Sequence, residues 1–565
     1  MKYSEFVEVY ERLSKTTKRL EKTDILSEFL KKLSKDDDEE WVYLIRGKVL
    51  PDYDSREFGV SGQLIMKVIS KASGVSLDAI GQKFNKIGDL GEVAEELMKN
   101  RKQAPLYSKK LTVDKVFDNL RKLFDLDGKG SVDKKTSLIA ELLTNSNGTE
   151  AKWIVRTVLG DLRIGVADST LRDSLAEAFD SENKKELAHK IEDVYDLNND
   201  FGEIFRALKK GKKELDKISL SPGKALNVML PVKVTEISEA FRICGKPAAL
   251  EHKYDGFRVV ITKKGDEVKL FTRRLEEVTN QFPDVVEVVK KNIKGKDFIV
   301  DSEVVGYDPV TKKYKPFEAI SQRIRRKYHI DDLIKKLPVE INAFDVIYLD
   351  GKSLVEKTFR ERRKILEKII KVSNFKIRTS TQIVTDSEEK AMEFYHKALD
   401  LGEEGIMIKK LDSVYKPGRY IGHMVKMKPE AKDLDLVITS AEHGTGKRAG
   451  WLTSYIVACH KDGKYLNVGK VASGLKEIES ENGTTYSEMT ELLKPLIVSE
   501  KGNRVKVKPK IVVSVTYQNI QKSPTYSSGF AMRFPRITHY RPDRNIKDIA
   551  SLKDIEKEAK TNDWK

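Results

Sequence analysis

The chain reads as a multidomain protein with an all-α region over residues 1–220, an α+β domain over 221–430 and an all-β domain over 431–565. Three observations predict this. Apolar residues recur at helical spacing through the first 220 residues. A Ser221-Pro222-Gly223 signal and then Pro231 interrupt that pattern. Beyond them, strand-like runs first alternate with helical stretches and then, past Glu430, become short and regularly spaced. At 565 residues and 39% hydrophobic content, each region is long enough to bury its own core.

In the first region Phe6, Val9, Tyr10 and Leu13 mark one helix face, and Ile25, Leu26, Phe29, Leu30 and Leu33 mark a second after an expected Asp24 cap. The acidic run Asp36–Glu40 and the low-complexity stretch Asp125–Lys134 read as loops. Gly160-Asp161-Leu162-Arg163-Ile164-Gly165 separates two helical patterns, either as an ordinary turn or as a close backbone approach to a partner. In the second region, strands are expected from Ala248, over Phe257–Thr262 and over Glu267–Phe271, the last two joined by a Lys264-Gly265-Asp266 hairpin turn. Further strands are expected over Phe298–Tyr307, Glu340–Tyr348 and Gly405–Lys409. A Thr358-x-x-Glu361 capping box opens a helix over 359–370, and Gly402 closes another that starts near Asp386. In the third region the runs 434–441, 451–459, 465–471 and 511–519 suit a small five-stranded barrel of OB type, with Gly444–Arg448 as a basic loop between the first two.

A net charge of +17 and a pI near 9.3 suit a polyanionic partner held through phosphate contacts. Two cysteines, Cys244 and Cys459, cannot build a four-cysteine zinc site or a disulfide framework. No apolar run approaches the ~20 residues of a membrane span, and the N-terminus carries no signal-peptide pattern. The composition therefore reads as that of a soluble protein of a reducing cytoplasm, and its 34% charged residues suit a heat-loving source.

The chemistry concentrates around Lys253-Tyr254-Asp255-Gly256-Phe257-Arg258, where a lysine ends one strand beside an Asp-Gly turn. A lysine near its reference pKa of about 10.4 is neutral only about 0.04% of the time at pH 7. A nucleophilic role therefore requires burial and neighbouring cations. Further along stand Asp301-Ser302-Glu303, Phe344-Asp345, Glu403-Glu404-Gly405 and Lys426-Met427-Lys428. Judged singly, Phe344 suits a core, Glu404 a solvated helix end and the lysine pair a wet strand face. Together, in this order, they match the covalent lysine nucleotidyltransferases.

Over essentially its whole length the chain resembles the ATP-dependent DNA ligases of the archaeal and eukaryotic replicative type. The resemblance implies that Lys253 is adenylated by ATP and that Glu251 helps select adenine. Arg258, Arg273 and Arg419 would contact ribose or phosphate, and Phe344 would stack on the base. Glu303 would bind ribose or assist a metal, Glu404 would hold Mg²⁺ (or Mn²⁺), and Lys426 and Lys428 would face the α-phosphate. In the C-terminal signature, Arg533, Arg536, Arg541 and Arg544 would close over the β- and γ-phosphates with Asp543. The pattern departs from the family's at Ser302, Glu318, Met424-Val425, His539 and Arg544, and Tyr420 leaves the alignment of Arg419 open by one residue.

The implied partner is nicked double-stranded DNA, encircled by a single chain acting as a monomer. Gln103, Leu106 and Tyr107 resemble a shortened sliding-clamp (PCNA) motif, although Leu106 and Tyr107 also suit a local core staple. NAD-dependent ligases carry a four-cysteine zinc module, which favours ATP here. An RNA ligase or another lysine nucleotidyltransferase, such as a capping enzyme, is the alternative, and the long helical front argues against it.

Overall fold

The computed structural model describes residues 1–33, 39–100, 110–128, 130–324, 326, 330–417, 422–429, 432–444, 448, 450–477 and 484–563. The chain divides into two compact units, Met1–Lys428 and Pro429–Lys565.

The first unit opens with a helical region around one apolar core that runs from Tyr3 to Leu215. The helix Tyr3–Ser14 buries Phe6, Val9, Tyr10 and Leu13, as their spacing requires. Asp24, however, is no cap. The helix Arg19–Lys32 begins a turn and a half earlier, because the stem of Lys22 is buried and its amine donates to the Gly165 carbonyl at 3.2 Å. The expected loop at Asp125–Lys134 is also shorter, since the helix Ser131–Asn145 starts within it. Arg163 takes a left-handed backbone (φ 57°) between Gly160 and Gly165 and pairs with Asp89 and Asp161 at 2.8 Å each.

Eleven strands build the rest of this unit: β1 (Val232–Val234), β2 (Ala248–Lys253), β3 (Phe257–Lys264), β4 (Glu267–Thr272), β5 (Phe298–Gly306), β6 (Val339–Leu349), β7 (Lys352–Ser353), β8 (Ile377–Thr379), β9 (Gln382–Thr385), β10 (Gly405–Lys410) and β11 (Met424–Met427). They form two sheets. One runs β1-β11-β10-β2-β9; the other runs β4-β3-β5-β6-β7, with β8 beside β6. The turn Tyr254–Gly256 carries the chain from one sheet to the other, and a Cβ at Gly256 would collide with the Val304 carbonyl, so only glycine fits. The capping box at Thr358 and Glu361 forms as expected and opens the helix Phe359–Ile369. Gly402 (φ 84°) follows the helix Glu388–Asp400.

Strand alternation sends Leu250, Ile406, Ile408, Val425 and Met427 to one face of the first sheet, into a core with the helices Ile237–Cys244 and Glu388–Asp400. His252 lies on that face, its ring 4.7 Å from that of Phe394 and its Nε2 without a hydrogen-bond partner among the described residues. Burial, with Lys397 and Arg378 nearby, lowers its pKa from 6.5 to about 4. The unfolded chain would take up this proton near pH 6.5 and the folded chain only near pH 4, so stability is lost as the pH falls through that window. Unfolding of wild type and His252→Leu at pH 7 and pH 5 should show a wild-type loss larger by up to about 2 kcal/mol. Equal losses in the two proteins would exclude this role for the imidazole.

The second unit carries β12 (Lys432–His443), β13 (Leu452–Lys461), β14 (Lys464–Val471), β15 (Ile497–Lys501), β16 (Arg504–Val507), β17 (Val512–Tyr517), β18 (Ile520–Lys522), β19 (Phe530–Met532) and β20 (Arg536–Tyr540). The four runs marked in the sequence are β12, β13, β14 and β17, and β15, β16 and β20 join them in one sheet. The long β12 pairs along one edge with β13 and along the other with β16 and β17 in succession, which curls the sheet around its own core. Cys244 and Cys459 are buried free thiols in different units. No helix among the described residues is long and apolar enough to cross a membrane.

Candidate active site

The register of β2, β10 and β11 assembles the first wall of the site. Met407 stands opposite Glu251 on β2 and opposite Lys426 on β11, and Gly405 stands opposite Lys253. Because alternate residues share a face, Glu251, Lys253, Met407, Lys409 and Lys426 point away from the apolar core, and Lys428 follows directly after β11. Gly405 (φ 139°) makes the close approach possible, since a Cβ there would collide with the Met427 carbonyl oxygen.

Glu404 precedes β10, and its backbone N–H donates to the Lys253 carbonyl at 2.9 Å. Its carboxylate takes the Lys253 amine at 2.6 Å and is also paired with Lys428. Burial pushes the Glu404 pKa up, but the two lysines outweigh it and hold the carboxyl below its ordinary value. The Lys428 pKa is lowered by burial and by Lys253; that of Lys426 is lowered by burial, then by Lys428, Lys253 and Arg273. The Lys253 side chain is only 22% exposed. The sequence called for burial and neighbouring cations, and both are present, with a carboxylate between the cations.

The second wall comes from the other sheet. Arg258 on β3 stands opposite Glu303 on β5, which stands opposite Asn342 on β6. Burial pushes the Glu303 pKa up to about 8, with the charges of Glu404 and Asp301 adding to the rise and Lys253 and Arg258 opposing it. Burial likewise raises Glu403 to about 8. Phe344 sits where the β5–β6 register slips: Asp301 pairs with Asp345 and Ser302 with Ala343, so Phe344 is the extra residue of a β-bulge. Bulges re-aim side chains beside active sites. Ser302 is buried and its hydroxyl donates to the Val259 carbonyl at 2.9 Å, so the departure from the family's glycine is absorbed in packing.

A small cavity beneath this wall is lined by Phe344, Arg258, Asp301, Lys409, Tyr415 and Met424, among others. Arg258 is committed there: its Nε donates to Asp301 at 2.9 Å and its Nη1 to the Met229 carbonyl at 2.6 Å, while Tyr415 Oη donates to Asp301 at 3.2 Å. Glu251 is 2% exposed and receives three donors: Lys409 Nζ at 2.6 Å, Gln382 Nε2 at 2.8 Å and Arg363 Nη1 at 3.3 Å.

Of the residues marked in the sequence, Lys253, Glu404, Lys426 and Lys428 are thus brought within electrostatic reach of one another, and Glu303 within reach of Lys253 and Glu404. Arg273 lies exposed just past β4, and its charge reaches Lys426. Arg541 and Arg544 belong to the second unit, where both pair with Asp435, at 3.2 and 3.3 Å, and Arg541 also holds Asp543 at 2.7 Å. Arg419 and the segment with Gln103, Leu106 and Tyr107 lie outside the described residues. Asp301, from the Asp301-Ser302-Glu303 motif, serves as the partner of Arg258, whereas Lys409, Arg363 and Gln382 join the site without any motif that marks them. Lys409 was within reach, since it alternates with Met407 on one strand; Arg363 and Gln382 arrive from a helix and an edge strand that no spacing connects to Glu251.

Residues 228–428 match the family model for the ATP-dependent DNA ligase domain, residues 2–176 the DNA ligase N terminus and residues 448–544 the ATP-dependent DNA ligase C-terminal region. The chain belongs to the ATP-dependent DNA ligase family. The DNA ligase of Nanoarchaeum equitans is 45% identical over 556 residues, covering 98% of this chain and 97% of its own. That of Thermococcus fumicolans is 42% identical over 558 residues, with 98% of both chains covered. Among solved structures, Pmar-Lig_PreS3 superposes with a TM-score of 0.58 at 19% identity over 95% of this chain and 99% of its own, a likeness of fold. The helical, α+β and all-β organisation is therefore that of the ligase family.

Proposed function

We propose that the chain is an ATP-dependent DNA ligase that seals nicks in double-stranded DNA, as needed in replication, repair and recombination. The observation that carries this reading is the placement of Lys253 on one sheet face with Glu404, Lys426 and Lys428, opposed by Glu303 from the other sheet.

The neutral Lys253 amine attacks the α-phosphorus of ATP, a P–N bond forms as the nitrogen gives up a proton to solvent, and the bond from that phosphorus to the oxygen bridging to the β-phosphate breaks to release diphosphate. An oxygen of the DNA 5′-phosphate then displaces the lysine, whose nitrogen takes up a proton from solvent and leaves as the amine, and the nick is capped with AMP. Finally the 3′-hydroxyl attacks that 5′-phosphate, loses its proton and expels AMP. Lys426 and Lys428 face the developing negative charge, which is the electrostatic catalysis such transfers require. In the resting site Glu404 holds the Lys253 amine, so attack requires that contact to loosen.

Among the described residues no three His, Cys, Asp or Glu converge on a common point. A divalent ion would be held by Glu404 and Glu303 together with water and phosphate oxygens, a donor set that suits a hard cation such as Mg²⁺ or Mn²⁺. Such an ion would neutralise charge on the α-phosphate. The surplus of positive charge serves the DNA backbone, and the monomer and the clamp contact through Gln103, Leu106 and Tyr107 belong to the same proposal.

Incubation with ATP and Mg²⁺ followed by mass spectrometry should show one AMP adduct, and a nicked duplex should be joined. Labelling by GTP without nick sealing would instead favour a capping enzyme. Affinity for a nicked duplex should be independent of base sequence and fall by at least about tenfold between 50 and 200 mM salt, because phosphate contacts release counterions. A flat salt response in a binding assay would contradict backbone recognition.

A further inference from the structure

We infer that Lys409 is a positioning residue that sets the choice of purine, a role that rests on the ligase reading above. Its amine is 2.6 Å from Glu251, 4.6 Å from the centre of the Phe344 ring and 4.7 Å from that of Phe359. Lys409 and Glu251 belong to one sheet and Phe344 to the other, so this one cation ties the base-edge reader to the base-stacking ring across the gap between the sheets. The side chain is only 8% exposed, which leaves its charge few partners beyond these three.

The occupancy of Glu251 gives the tie a chemical consequence. An ionised carboxylate offers about four lone-pair sites and no donor. Lys409, Gln382 and Arg363 fill three of them, and Arg363 is itself fixed by the Ser380 hydroxyl and carbonyl at 2.9 Å each. The remaining capacity is to accept one hydrogen bond. A 6-amino purine supplies that donor; a 6-oxo purine turns a second acceptor toward the carboxylate and is repelled. Without Lys409 the carboxylate gains free lone pairs and rotational freedom, and Phe344 loses the nearer of two cations over its ring, keeping only Arg258 at 5.3 Å, so the tie between the two walls of the base site is cut.

The test uses the full-length protein and compares formation of the lysyl-nucleotide adduct from ATP and from ITP, which differ at the 6-position. Wild type should strongly favour ATP in kcat/KM. In Lys409→Met the ATP-to-ITP ratio should fall by roughly tenfold or more, mainly through KM for ATP. Lys409→Arg, which keeps the charge, should restore most of it, and Gln382→Leu should lower it by only about two- to threefold. Both nucleotides are measured on one preparation, so the ratio does not depend on the fraction folded. If Lys409→Met does not fold, loss of selectivity in Gln382→Leu with full retention in Lys409→Arg still supports the role, and unchanged selectivity in Gln382→Leu overturns it. A Lys409→Met ratio within twofold of wild type, with both rates reduced alike, would also overturn it. A wild type that forms no adduct from either nucleotide would instead sink the ligase reading.

Discussion

Lys253→Ala should form no AMP adduct and should join no nicked duplex from ATP, while keeping the thermal stability of wild type to within about 1 kcal/mol. The reason is placement: among the described residues, the other two amines of the site stand elsewhere on the sheet. Lys426 lies one strand further from β2, on the far side of β10, and Lys428 sits beyond the end of β11. Losing the attacking atom removes the covalent route altogether, a deficit of roughly 10⁴-fold or more where a nucleophile has been deleted. Stability should survive because the side chain is partly exposed and Glu404 retains Lys428. The informative control is nicked DNA already carrying AMP on its 5′-phosphate. Lys253→Ala should still join it at a measurable rate, since the final displacement needs no lysine nucleophile. A residual adduct from ATP, mapped to another lysine, would refute the assignment.

Arg362→Met should cost about 3–5 kcal/mol of stability, the largest loss expected from a single surface-remote substitution in this unit. Arg362 is 1% exposed, and its Nε and Nη2 donate to the two oxygens of Asp345 at 2.8 and 3.0 Å, with Nη1 bonded to the Lys357 carbonyl at 2.5 Å and the Ser413 carbonyl at 3.2 Å. Methionine fills much of the space but leaves Asp345 as a buried charge without its cation, and two carbonyls without their donor. A chemical denaturation series should therefore find Arg362→Met well below wild type, and the double variant Arg362→Met with Asp345→Leu should regain part of the loss, because it removes the stranded charge. The pair also pins the bulge that carries Phe344, next to Asp345, so ATP affinity should weaken even where folding survives. Wild-type stability in Arg362→Met would show that the pair contributes nothing net.

Much of this was legible in the chain alone, for physical reasons that differ from element to element. The helix Phe359–Ile369 follows from a local capping box, and β3 and β4 from alternation around a Gly turn, because both signals depend on neighbours within a few residues. Lys253, Glu404, Lys426 and Lys428 could be named since each occupies a short motif at the end of a strand. The start of the helix Arg19–Lys32 is not legible locally, because it depends on Lys22 reaching Gly165, a contact 143 residues away. The donors that fix Glu251 were out of reach for the same reason: Arg363 and Gln382 lie 112 and 131 residues away from it.

The amino-acid sequence by itself determined the division into helical, mixed and β regions, the ligase-type order of motifs and the lysine proposed to react, because periodicity, turn residues and short motifs are local properties. Only the tertiary structure decided how those residues are used. Strand register put Glu404 between Lys253 and Lys428, a bulge aimed Phe344, Arg258 was committed to Asp301, and Lys409 was drawn across from one sheet to the other. Those arrangements depend on burial and on charge balance among residues far apart in the chain, and both exist only once the sheets have packed.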